Sequence, residues 1–119
     1  MTTLTPNTYK LNYNVTAEKL LLNGFIKGHD YRLKRSLYDY YGTGNVRHML
    51  ISLNIKISAD LRDIEILVLD ENFMTPYFAF DLVDDGRNIV KSIVTKKYNY
   101  ILNNLERKDI LYRVRYETT

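Results

Sequence analysis

Residues 47–58 read RHMLISLNIKIS. Met49, Ile51, Leu53, Ile55 and Ile57 hold every odd position from 49 to 57, and Ser52, Asn54 and Lys56 lie between them. A repeat of two is the signature of a β-strand with one apolar and one wet face, and no helix would gather those five side chains on one side. Burial of such a face is worth about 25 cal/mol per Å² of apolar surface, so another layer must cover it. The amphipathic stretch from Asn88 to Glu106 is the natural cover, with Ile89, Val90, Ile93, Val94, Tyr98, Ile101, Leu102 and Leu105 at helical spacing and Lys91, Lys96 and Lys97 mostly outside that stripe.

Working outward toward the amino terminus, Tyr31 to Tyr41 (YRLKRSLYDYY) fits two periods. As a helix it pairs Leu33 with Leu37. As a strand it places Tyr31, Leu33 and Leu37 on one face and Arg32, Lys34, Ser36, Tyr38 and Tyr40 on the other. The GTGN turn at 42–45 leads straight into the 47–58 strand, which favours a hairpin and therefore a strand. Before it, Tyr9, Leu11, Tyr13 and Val15 alternate with polar residues as a further strand. Thr16 is placed to cap a short helix from Ala17, with Leu20, Leu21 and Phe25 as its apolar side and Gly24 as its left-handed stop. Gly28, His29 and Asp30 form a turn.

Toward the carboxyl terminus, residues 59–63 form a turn before IEILVLD (64–70), which is apolar on both faces and reads as a central strand. Pro76 limits Tyr77 to Asp81 to an edge strand. Ile110, Tyr112, Val114 and Tyr116 alternate with Arg113 and Arg115, giving a last strand or an extension of the long helix. The order of elements predicts an α+β fold: one mostly antiparallel sheet of four to six strands, with the long helix and the short helix packed on one face. Residues 1–7 are expected to be a loosely held arm, and residues 8–119 one domain.

Composition narrows the function. The chain has 119 residues and no cysteine, which removes disulfides, thiol nucleophiles and cysteine-based zinc sites and suits a cytoplasmic setting. Neither a signal peptide nor a membrane-spanning run is expected. Asn, Tyr, Ile, Leu and Lys abound and Gln and Trp are absent, a bias that AT-rich codons produce and that points to a low-GC bacterium, phage or plasmid.

No catalytic motif emerges. Gly42 and Gly44 lack the third glycine of a dinucleotide loop, and no GKS or GKT is present. His29 and His48 have no neighbour at metal-ligand spacing, although His48 beside a carboxylate would make a small hydrolase. Asp60, Asp63, Glu65 and Asp70 would suit a magnesium site only if they converged, and each also fits a turn or strand end. No cofactor, metal or small-molecule ligand is therefore expected, and the chain reads as a non-enzyme.

The net charge of +3 hides segregation along the chain: residues 27–56 carry net +4, residues 60–88 net −6 and residues 89–119 net +4. Within the first basic segment Arg32, Lys34 and Arg35 sit beside Tyr38, Tyr40 and Tyr41, and Tyr112, Arg113 and Arg115 repeat the mixture near the end. Rings with cations suit protein interfaces, and equally a single-stranded nucleic-acid surface. The expected function is a non-catalytic protein-binding or regulatory module, partnered by another protein or a second copy of itself; nucleic-acid binding is the alternative.

Overall fold

A computed structural model describes residues 9–40, 49–72, 74–76 and 89–114 of the chain. The predicted α+β architecture is what they form. In chain order the elements are β1 (Tyr9–Leu11), α1 (Ala17–Leu22), β2 (Ile26–Lys27), β3 (Tyr31–Tyr40), β4 (Met49–Ile57), β5 (Ile64–Asp70), β6 (Thr75–Pro76), α2 (Ile89–Arg107) and β7 (Leu111–Arg113). Strands β2 to β6 make one antiparallel sheet in sequence order, and β1 pairs with β7 in a separate antiparallel ladder.

The alternating stretch is the central strand β4. Ile51, Leu53, Ile55 and Ile57 are all buried, and directly opposite them on β5 stand Asp70, Val68, Ile66 and Ile64. Onto this face α2 lays Val94, Tyr98, Leu102 and Leu105, and α1 adds Leu20, in one continuous core with Phe25, Leu33, Leu37, Ile110 and Leu111. The stripe of α2 is narrower than its sequence suggests. Ile89 is exposed, whereas Lys91 is buried at 4% exposure. None of the described helices is long and apolar enough to cross a membrane.

Local chemistry sets the element ends. Thr16 Oγ1 accepts from the Lys19 amide at 3.2 Å, capping α1, and Gly24 follows at φ +93°. A side chain at Gly24 would place its Cβ 2.5 Å from Arg35 Nη2, so this glycine provides both the left-handed turn and room for Arg35. Asp109, at φ 59°, ends α2, and the Ile110 amide then donates to Leu105 O at 3.1 Å. The first strand is shorter than its alternation implies. Asn12 Oδ1 accepts from the Asn14 amide, an Asx turn that stops the ladder and turns Tyr13 out to solvent.

Two expectations fall elsewhere. Of the 110–116 segment, Leu111–Arg113 forms a strand, in the phase opposite to the alternation read from sequence: Leu111 is buried, Tyr112 is exposed and Arg113 is partly buried. The GTGN turn, His48, Tyr41, Arg115 and the Tyr77–Asp81 edge strand lie outside the described residues.

Candidate functional site

The candidate surface is the face of the five-stranded sheet turned away from the helices. Pairing register lays it out in rows. One row runs Ile26, Arg32, Lys56 and Glu65 across β2 to β5; the next runs Lys34, Asn54 and Leu67; a third runs Ser36, Ser52, Leu69 and Pro76. These rows surround a half-open hollow of 390 Å³, lined by Arg32, Lys34, Asn54, Lys56, Glu65, Leu67 and Leu69 among others.

Sequence alternation predicted that Arg32, Lys34, Tyr38 and Tyr40 share this face, and the structure separates them. Ser36 pairs with Ser52, yet Tyr38 pairs with Ile51, so β3 spends two residues where β4 spends one. Leu37 is the extra residue, a β-bulge that changes the parity of everything after it. Tyr38 and Tyr40 therefore stand opposite Ile51 and Met49 on the helix side, and Tyr38 packs against the core. Arg35 stands opposite the buried Leu53. Its side chain leaves that face for the strand edge, where Nη1 donates to the Lys34 carbonyl at 2.9 Å. One signal was available in the sequence: strict alternation from Leu33 to Leu37 puts a charged residue, Arg35, in a core position.

Each cation of the outer face has a carboxylate beside it. Arg32 Nη2 lies 3.7 Å from Asp30, Lys34 Nζ 2.7 Å from Glu71 Oε1, and Lys56 Nζ 3.4 Å from Glu65. These contacts largely cancel the positive potential that the sequence concentrates here. Below the Lys34 pair, Ser52 Oγ donates to Glu71 Oε1 at 2.6 Å and in turn accepts from Asn54 Nδ2 at 3.0 Å. Ser52, at 1% exposure, has its hydroxyl engaged on both sides. Hydrogen bonds from Lys34 and Ser52 outweigh burial and hold the Glu71 carboxyl below its ordinary range, so it is a poor proton acceptor at neutral pH.

That depression fixes a sign for pH dependence. The folded state favours the ionised Glu71, so its contribution is present above the carboxyl's unfolded titration range and is lost as pH falls through the folded one. Glu71→Gln should lower the thermal midpoint at pH 7 by an amount corresponding to about 1 kcal/mol, since one partner is exposed. The gap between parent and variant should close toward pH 3, as a differential melting series would record. A gap that is constant with pH would place the strut elsewhere.

The remaining acidic residues do separate work. Asp60 closes the β4–β5 turn, where Ser58 Oγ donates to its Oδ1 at 2.6 Å and, with the Arg62 amide, keeps its carboxyl lowered. The Asp63 amide donates to Ser58 Oγ in the same turn, and Asp70 accepts from the Asn72 amide. Among the described residues no three His, Cys, Asp or Glu side chains gather as metal ligands. His29 lies in the exposed turn before β3.

Several residues of this surface were not singled out from sequence: Ile26, Asn54, Lys56, Leu67, Leu69 and Glu71. The two-sided apolar pattern of β5 was the signal for the leucines. Leu67 and Leu69 point outward and floor the hollow, with Leu67 at 36% exposure. Tyr112 and Lys10 pair on the exposed side of the β1–β7 ladder, while Arg113 pairs with Tyr9 on the opposite side.

Fold and surface together define a small α+β domain with helices on one sheet face and an ion-paired, leucine-floored opposite face. The same fold is found in the crystal structure of a DUF1831 family protein from Lactobacillus plantarum, with a TM-score of 0.69 and 22% identity over 93% of this chain and 90% of that one. No protein-family model and no curated protein matches the sequence.

Proposed function

We propose that this chain is a small non-catalytic protein-binding accessory module of a low-GC bacterium or one of its phages or plasmids, and that the outer sheet face receives the partner. The observation that carries this reading is the composition of that face. Leu67 and Leu69 supply an apolar floor within a hollow whose rim is made of ion pairs. Apolar centres with polar rims are the anatomy of protein interfaces. Nucleic acid asks for something different, a net cationic track with rings beside it. Pairing of Arg32, Lys34 and Lys56 with carboxylates and the turning of Tyr38 and Tyr40 to the helix side remove both elements. The codon bias supports the source, as does the organism of the similar structure.

Light scattering after size exclusion, at low and high salt and with a mixed oligonucleotide pool, tests the reading. The expected result is a peak free of oligonucleotide at both salt concentrations. Its mass separates a second copy of the chain from a different protein as partner, and Leu67→Lys should return a dimer to monomer. Oligonucleotide that co-elutes at low salt and is lost at high salt would overturn the proposal in favour of nucleic-acid binding.

A further inference from the structure

Two side-chain atoms of the described residues are buried without a hydrogen-bond partner, Tyr9 Oη and Arg113 Nε. Tyr9 and Arg113 face each other directly across the β1–β7 ladder, so their side chains leave the same side of it. Tyr9 is 6% exposed. From α2, Tyr98 reaches the same spot at 3% exposure. Its phenol titrates well above the ordinary range, chiefly through burial, with the neighbouring Tyr9 adding to the rise and Arg113 opposing it. Among the described residues no carboxylate pairs with Arg113.

A guanidinium has only donors, and the phenol of Tyr9 has a donor as well as an acceptor, yet neither atom bonds the other. A buried donor without an acceptor is destabilising, and a partly buried charge without a counter-charge is more so. An internal water would satisfy Tyr9 Oη but leave the guanidinium uncompensated. A carboxylate or phosphate group answers both needs, because its oxygens accept from a phenol and a guanidinium together while its charge offsets that of the arginine. We infer that Tyr9 and Arg113, bounded by Tyr98, form an oxyanion-binding site that accepts a phosphate or carboxylate group. It lies on the β1–β7 ladder and is independent of the outer sheet face.

The test is thermal unfolding of the full chain in inorganic phosphate, in acetate and in chloride at matched ionic strength. Phosphate or acetate should raise the midpoint saturably beyond chloride, and the more effective of the two identifies phosphoryl or carboxyl ligands. Tyr9→Phe deletes one hydroxyl and keeps the ring in the core, so it should fold and bind about tenfold or more weakly. Arg113→Gln should abolish the saturable effect. Equal midpoints in all three anions, or a response unchanged in Tyr9→Phe, would overturn the site. Should Arg113→Gln fail to fold, the Tyr9→Phe comparison decides alone.

Discussion

Leu53→Asp should abolish the cooperative unfolding transition of this protein. Leu53 is completely buried in the central strand, with Val68 beside it on β5 and the α2 side chains in the same core. An ionised carboxylate there is an uncompensated buried charge, which costs on the order of 3–5 kcal/mol. Protonation avoids that cost only by burying an unpaired hydroxyl and carbonyl. Arg35 stands directly opposite but is bent to the strand edge, held at the Lys34 carbonyl and seated over Gly24. Against a total stability of roughly 5–15 kcal/mol for a domain, such a loss removes most of what holds the fold. Far-UV circular dichroism through a urea titration would read it. Leu53→Ala, which only leaves a cavity, should cost about 2–5 kcal/mol and keep a sharp transition. If Leu53→Asp unfolds at the parent's midpoint, β4 is not the centre of the core.

Leu20→Ala is expected to have the next largest effect, and a local one. The helix α1 has six residues, far too few to be stable in isolation, and Leu20 is its buried anchor. Its amide and carbonyl also tie the ends of the segment, the first donating to Thr16 O at 3.1 Å and the second accepting from the Phe25 amide at 3.0 Å. Truncation should cost about 2–5 kcal/mol. The distinguishing readout is amide hydrogen exchange. Residues 17–25 should lose protection by more than β4 does, because the short helix undocks before the sheet opens. Uniform loss of protection across both elements would show that α1 and the sheet open as one unit.

What could be read from sequence follows from where the physics is local. The alternation of 49–57 and the two-sided pattern of 64–70 are direct imprints of burial, and β4 and β5 carry them. Thr16 and Gly24 announce the ends of α1 by their own conformational preferences. Sequence and fold part where a neighbour in space decides. Leu37 gives no sign within its own residue type that it will be an extra residue against β4, so alternation alone puts Tyr38 and Tyr40 on the opposite side from the one they take. The phase of 111–113 depends on the left-handed Asp109, which re-aims the chain after α2 and brings Arg113 inward beside Tyr9. Lys91 looks like a solvent residue by type but is buried on the core side of its helix. The ion pairs that neutralise the outer face join residues as far apart as Lys34 and Glu71, and charge counting along the chain does not see them.

The bulge at Leu37 has a meaning for how this sequence can vary. It works as a frame shift written into a single strand: the even-numbered residues Arg32 and Lys34 before it answer to the rim of the outer hollow, and the even-numbered Tyr38 after it answers to the helix layer. The two halves of β3 are thereby released from a common pattern of acceptable side chains. Substitution at Arg32 or Lys34 can retune the outer sheet surface without disturbing the packing around Tyr38, while the same strand keeps both layers of the domain in register.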